Sequence, residues 1–154
     1  MFDWPNKLRR DCGGTGAVEF ALTVPVLLMI LAVALEGGNA FYQATTLATN
    51  LRAAALYAAR SPLPLSSGTL TTVRNLVKTG AADGAGSAGP GAWSLPGASI
   101  EVTTASFDMS GTPLPMIRIA ATVPYQPLVP GLFAMLGATA LTISDSHEQA
   151  YVGD

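Results

Sequence analysis

The chain has 154 residues, which is room for one small domain. Charged residues make up only 12% of it, about half the share usual in globular domains. The net charge of −2 and the absence of any basic run beyond residues 7–10 argue against a nucleic-acid partner. Cys12 is the single cysteine, and we expect an inert thiol, no internal disulfide, no metal site and no cofactor.

An apolar segment near the N-terminus predicts a membrane-spanning helix. Phe20–Leu35 is sixteen residues long and carries no charge. As a helix it spans about 24 Å, short of a hydrocarbon core of roughly 30 Å. Extension through residues 15–19 and 36–40 closes the gap, so we predict a transmembrane helix over 15–40. Glu19 then lies near one interface, where an acid is less costly than at the bilayer centre.

The basic residues around this segment predict its orientation. Lys and Arg occur at 7–10, before the span, while the next basic residue after it is Arg52. By the positive-inside rule the N-terminus is cytoplasmic and the chain from Phe41 onward lies outside. Phe41 and Tyr42 occupy positions suited to interfacial aromatic residues.

Three explanations compete for this N-terminus. A secretory signal peptide needs a small-residue cleavage site after its apolar core, and the "EGGNA" after Leu35 is a poor one. A plain signal anchor explains the span and its orientation, but gives no reason for Glu19 or for the glycines before it. The third explanation, cleavage ahead of the apolar core, accounts for both.

The stretch "GGTGAVEF" at 13–20 resembles the prepilin cleavage site of the TadE-like minor pilins, or pseudopilins, of the Flp/Tad pilus system. In that family a short basic leader ends in glycine, and Glu followed by an aromatic residue comes after four intervening residues. Gly14 and Glu19-Phe20 have this spacing. The sequence of residues 17–28 is also similar to TadE-type sequences, and residues 141–152 resemble their closing strand more weakly.

The resemblance implies that a prepilin peptidase cuts between Gly14 and Thr15 and removes residues 1–14 as a cytoplasmic leader. It also implies that Glu19, followed by Phe20, pairs with the N-terminal amine of a neighbouring subunit. The partners would be the peptidase, other minor pilins and pilus subunits, and the bacterial inner membrane. Gly13 and Gly16 flank Gly14, so only the spacing to Glu19 selects the cut. The alternative for Glu19 is an acid that snorkels to the lipid headgroups.

Pro25 lies in the middle of the span. It removes one helix hydrogen bond and can kink or locally melt the helix. Pilin-like proteins often carry a proline here, although a tolerated membrane proline is nearly as good an explanation.

The helix is predicted to continue beyond the membrane. A heptad-like seam of small and medium residues alternates spacings of four and three, while Gln43, Asn50 and Arg52 lie off it. Such a seam suits packing on the chain's own sheet or on neighbouring subunits, and we expect the former. Ser61-Pro62 should end the helix. The seam consists of Ala40, Ala44, Leu47, Leu51, Ala54 and Ala58.

The outer domain, residues 41–154, predicts a second helix and three strands. Apolar residues at 70, 73, 76 and 77 form a short amphipathic helix that Gly80 ends, with Arg74 and Lys78 exposed. The glycines of 80–92 are interpreted as compositional and the segment as a flexible loop.

Strands are predicted at 99–107, 116–124 and 140–146 or slightly beyond, with a hairpin connection over 108–115. Residues 129–137 read as an apolar short helix or loop that rests on the membrane surface or on a partner. The predicted fold class is α+β: a long N-terminal transmembrane helix followed by a small antiparallel sheet, in a pilin-like layout.

Catalytic chemistry is not predicted. His147 is the only histidine, and a lone His between Asp145 and Glu148 at a strand end is typical of a surface residue. The other carboxylates show no pairing motif, so we expect no catalytic residues, no enzyme activity and no small-molecule substrate. The alternative to a minor pilin is an unprocessed single-pass envelope protein whose outer domain binds a ligand or partner.

Overall fold

The computed structural model describes residues 14–86, 89, 91–109, 112–135, 137 and 141–153. The predicted leader, with Cys12 and the basic residues at 7–10, lies outside the described residues apart from Gly14. A long helix is followed by a short one and by a three-stranded antiparallel sheet, which confirms the α+β class. The elements are α1 (Thr15–Ala59), α2 (Ser67–Thr79), β1 (Ser99–Met109), β2 (Thr112–Pro124), α3 (Pro130–Met135) and β3 (Thr142–Ala150).

The long helix α1 has two halves with different surroundings. Its 45 residues correspond to about 68 Å at the usual helical rise. From Thr15 to Leu35 the apolar side chains are exposed, with Phe20 at 70% and Leu22 at 71%. Glu36 is the first buried residue of the helix, and beyond it one face packs against β2, β3 and α2. The change falls at one residue, although the helix itself is continuous.

The core lies between the second half of α1, the helix α2 and the inner face of the sheet. Four members of the predicted seam, at 47, 51, 54 and 58, are fully buried, which confirms that the seam packs on the chain's own domain. They meet Val73 and Val77 of α2 and alternate residues of β2, Ile117, Ile119, Ala121 and Val123.

Gln43 and Asn50 lie off the seam, as the sequence analysis places them, but they are part of the packed face. Both side chains are buried, and the Asn50 amide donates to the Val77 carbonyl at 3.1 Å. Arg52, which also lies off the seam, is exposed. Gln43 and Asn50 precede the seam residues Ala44 and Leu51 by one position, and the packed face is wide enough to include them. A polar residue can occupy such a position only when the fold supplies a partner.

The second helix follows its prediction closely. The Ser66 hydroxyl accepts a hydrogen bond from the Thr69 amide, which caps the first turn. Gly80 has a φ of 72° and its amide donates to the Leu76 carbonyl, so glycine ends the helix in the left-handed conformation. Arg74 and Lys78 are exposed.

The sheet has β2 at its centre, in the order β1-β2-β3. The predicted connection over 108–115 is wrong in length, since Met109 pairs with Thr112 and the strands continue almost to the turn. Pro113 and Pro115 argue against a strand in the sequence, so this part of β2 was not predicted. The Pro115 carbonyl accepts from Tyr151, so the backbone of Pro115 points to the β3 side, where strand pairing stops at Met116. Proline is tolerated at such unpaired strand positions.

The third strand runs over Thr142–Ala150, longer than the predicted core of 140–146. His147 lies opposite Ile119 and is half-buried on the helix-facing side of the sheet. The expectation of a plain surface histidine at a strand end is therefore corrected: His147 sits within the strand.

The glycine-rich segment after α2 is not merely compositional. The Gly89 amide donates to the Lys78 carbonyl at 2.8 Å, and a Cβ on Gly89 would lie 2.1 Å from that oxygen. Gly91 has a φ of 77°, and a Cβ there would lie 2.6 Å from Val123 Cγ2. Only glycine allows these close approaches, so the interpretation of these two glycines as compositional is wrong.

We predict that Gly91→Ala destabilises the sheet domain by about 2–4 kcal/mol. The backbone of an alanine is strained at this positive φ, and its methyl group would collide with Val123. Gly97→Ala is the matched control, since Gly97 has a φ of 95° but nothing within 4 Å of its Cβ position. Denaturant unfolding in detergent micelles measures both changes. Equal losses for the two variants would show that the contact with Val123 contributes nothing.

Candidate functional site

The first candidate site is the exposed start of α1. Glu19 is exposed, and within the residues that the structure describes its carboxylate has no hydrogen bond or ion pair. The Thr23 hydroxyl donates to the Glu19 backbone carbonyl at 2.7 Å, and Phe20 beside it is exposed. Among the described residues, no group of the chain therefore occupies the Glu19 carboxylate.

Gly14 and Gly16, the described glycines before Glu19, have no packing role within the described part of the chain. Gly14 is the N-cap of α1 and has an ordinary φ of −82°, and a Cβ on Gly14 or Gly16 would meet nothing within 4 Å. Thr15 is the first residue of the helix. The fold therefore does not require glycine at the predicted cut, which leaves recognition by another protein as a reason for it.

The helix continues through Pro25 without interruption. Proline has no amide hydrogen, so the carbonyl four residues earlier, that of Ala21, has no helical donor from position 25. Local melting at Pro25 is not observed, whereas a kink there stays a prediction.

The second candidate site was not predicted from the sequence. Glu36 is only 5% exposed, and its carboxylate accepts hydrogen bonds from the Tyr125 hydroxyl and from the Val129 backbone amide. Tyr125 directly follows β2, and Val129 directly precedes α3. A single acid on α1 thus holds the connection that follows the central strand.

Two amides complete this attachment. Asn39 Nδ2 donates to the Tyr125 hydroxyl at 3.0 Å and to the Gln126 carbonyl at 2.9 Å. Gln43 donates from Nε2 to the same carbonyl at 2.7 Å and accepts from the Gln126 amide at 3.2 Å. Glu36, Asn39 and Gln43 are three and four residues apart and share one helix face. We call these three side chains and residues 125–129 the Glu36 clamp.

The clamp stabilises a buried negative charge with neutral donors. Within the described part of the chain, no basic side chain pairs with Glu36. Hydrogen bonds to a carboxylate are about twice as strong as those between neutral groups. Burial, and then the hydrogen bond to Glu36, raise the pKa of the Tyr125 hydroxyl above 10.0, so Tyr125 remains a donor at neutral pH.

In the sequence, Glu36 is predicted only as the first residue of the 36–40 extension of the span. A signal was present, because Glu36, Asn39 and Gln43 continue the buried face toward Leu47 at helical spacing. Their partners lie more than 80 positions away, and no local pattern identifies them.

The described residues contain no group of three His, Cys, Asp or Glu side chains able to hold a metal ion. His147 lies in β3 beside Ile119, and the structure does not join it to Glu19 or to the Glu36 clamp. Among the described residues, the Glu36 carboxylate is occupied by donors of its own chain and the Glu19 carboxylate is not.

Comparison with known proteins identifies the N-terminal part of the chain. Residues 14–60 match a family model described as TadE-like protein, a match that covers under a third of the chain. By length and composition, one helix within the described residues, α1, could cross a membrane. No curated protein and no solved structure gives a significant match.

We predict that Tyr125→Phe lowers the free energy of unfolding by about 1–3 kcal/mol, because it leaves a buried carboxylate with one donor fewer. Tyr57→Phe is the control, since Tyr57 is 41% exposed and should change stability by less than about 0.5 kcal/mol. Unfolding in micelles, followed by circular dichroism, measures both.

The pH dependence of unfolding stability in the same two variants separates out the contribution of the Tyr125 hydroxyl. The raised pKa of Tyr125 means that its contribution is fully present below pH 10.0, the ordinary pKa, and is lost as the pH rises through the raised value. Tyr57→Phe should keep this alkaline loss and Tyr125→Phe should lack it. Identical profiles would contradict a stabilising role for the Tyr125–Glu36 bond.

Proposed function

We propose that this chain, whose residues 14–60 belong to the TadE-like family, is a minor pilin that takes part in the assembly of a Flp/Tad-type pilus. The observation that carries the proposal is that the family match covers α1, whose exposed apolar half bears Glu19 close to its start, without a partner among the described residues. TadE-like pilins are not an enzyme family, and the proposed role is structural.

The proposed topology places α1 across the bacterial inner membrane over residues 15–40. Residues 1–14 are then a cytoplasmic leader, and residues 41–154 lie on the periplasmic side. Two features support this arrangement: the apolar side chains up to Leu35 are exposed, and packing against the sheet domain begins only at Glu36. Exposed apolar surface of this extent on a helix long enough to span is stable in lipid rather than in water.

Processing is proposed to occur between Gly14 and Thr15 by a prepilin peptidase. The four-residue spacing to Glu19 supports this bond over those after Gly13 or Gly16. The lack of any packing reason for glycine at position 14 supports it further. Cleavage would release the amine of Thr15 close to the membrane depth of Glu19.

The proposed role of Glu19 is to pair with the Thr15 amine of a neighbouring subunit. A charged residue in a membrane costs on the order of 2.5–3.5 kcal/mol at the centre and less near an interface. A neighbour that brings an ammonium group offsets this cost, whereas one that lacks it leaves the acid unpaired. Pairing would therefore select processed pilins as partners, and a kink at Pro25 would adjust the helix to them.

Processing is tested by intact-mass measurement in a host that carries the cognate peptidase. We expect a mature chain that starts at Thr15. Gly14→Val should block the cut, because a branched side chain obstructs the approach of the peptidase to the backbone. Gly16→Val is the matched control and should be cut after Gly14.

The outcomes separate the candidate functions. A chain that still starts at Met1 would support the unprocessed envelope protein, and a start after Ala40 would support a cleaved signal peptide. If Gly14→Val is cut at the same bond as the wild type, the spacing to Glu19 has selected the wrong glycine.

Subunit pairing is tested with Glu19→Gln and Glu19→Ala. Both should insert into the membrane at least as well as the wild type, because a charge has left the span. Processing should persist, while association with other pilins should be lost because the neighbour's amine has no carboxylate to meet. Co-purification with partner pilins and counts of surface pili measure this.

Glu101→Gln controls for the loss of an acidic charge, because Glu101 is exposed on β1, far from the membrane span in sequence. It should assemble as the wild type does. Assembly of both Glu19 variants at wild-type levels would reduce Glu19 to a snorkelling acid and remove its proposed role.

A further inference from the structure

The connection between β2 and β3 is unusually apolar for an exposed segment. The seventeen residues from Tyr125 to Leu141 carry no charge. Leu128 and Val129, directly before the short helix α3, are 62% and 41% exposed. Connections at a water-facing surface are normally polar, so these exposed apolar side chains indicate contact with lipid or with another protein.

The Glu36 clamp fixes where this segment lies along α1. Val129 donates its backbone amide to Glu36, the residue directly after the exposed apolar half. In a helix the Cα–Cβ bonds tilt toward the N-terminus, which for α1 is the direction of the proposed span. The Glu36 side chain therefore reaches toward the membrane, and residues 128–129 lie at the level where the apolar surface of α1 ends.

Several backbone polar groups of the segment have hydrogen-bond partners within the chain and do not depend on water. The clamp satisfies the Gln126 carbonyl and amide and the Val129 amide with side chains of α1. Pro127 and Pro130 have no amide hydrogen to satisfy. Unpaired backbone groups are costly at a hydrocarbon boundary, and here α1 provides partners that water would otherwise provide.

The side chains of the segment are also held in place. Phe133 of α3 packs edge-on against Tyr125, with ring centroids 5.6 Å apart. Tyr125 is in turn bonded to Glu36 and Asn39. The segment is thus attached to α1 at Glu36, the residue that follows the exposed half of that helix.

We infer that residues 127–133 form a membrane-contacting platform, which inserts Leu128 and Val129 into the outer boundary of the bilayer that α1 crosses. The occupant of this surface is lipid, because the platform extends an apolar helix surface that is itself proposed to lie in lipid. The inference rests on the membrane topology of the proposed function. Its consequence is that the sheet domain has a fixed orientation on the membrane before assembly.

Spin-label accessibility in vesicles of phosphatidylethanolamine and phosphatidylglycerol tests the platform. Cysteines replace single residues of the full-length chain in a Cys12→Ser background, so that each variant carries one label. Leu128→Cys reports on the platform and Leu28→Cys on the span. Phe107→Cys is the matched control, since Phe107 is 56% exposed but lies near the β1–β2 turn. That turn is about 40 Å from the clamp along β2.

We expect the ratio of collisions with oxygen to those with a water-soluble nickel complex to be severalfold higher at 128 than at 107, and high also at 28. Circular dichroism of each labelled variant verifies the fold. A high ratio at 28 with a water-like ratio at 128 overturns the platform but leaves the membrane span intact. A water-like ratio at 28 overturns the span and the platform together. A label at 128 that is shielded from both reagents also overturns the platform, in favour of contact with a second copy of the chain.

Discussion

The structure depends on one constraint: a single continuous helix must satisfy two different surroundings. Up to Leu35 the side chains of α1 are mostly apolar and none is buried, and from Glu36 onward one face is buried under the sheet and α2. Nothing in the helix backbone marks the boundary, because backbone hydrogen bonds are internal to a helix in either medium. The side chains alone decide where one half ends and the other begins.

Glu36 makes this boundary a point of attachment. An acid at the end of an apolar segment is tolerable when donors surround it, and the chain brings the Tyr125 hydroxyl and the Val129 amide to that position. The contact joins α1 to the end of the central strand, so it sets how the sheet domain is aligned with the helix. Asn39 and Gln43 add hydrogen bonds on the same face without adding charge.

The two acids of α1 illustrate how similar residues acquire different roles. Glu19 and Glu36 bracket the uncharged stretch from 20 to 35. Glu36 is satisfied within its own chain, whereas Glu19 has no partner among the residues that the structure describes. Glu36 thus contributes to the fold, whereas the role that we propose for Glu19 is in assembly.

The sequence by itself determined the elements whose signals are local. The apolar run from 20 to 35, the seam at 47, 51, 54 and 58, the second helix with its glycine end and the alternation of 117–123 all depend on spacing within one element, and all are confirmed. The resemblance of residues 13–20 to TadE-like proteins is local too, and the match over 14–60 confirms it. Only the tertiary structure decided the Glu36 clamp, the burial of Gln43 and Asn50 and the need for glycine at 89 and 91. These depend on backbone and side-chain groups distant in the sequence, and a polar residue does not reveal its partner until the chain folds.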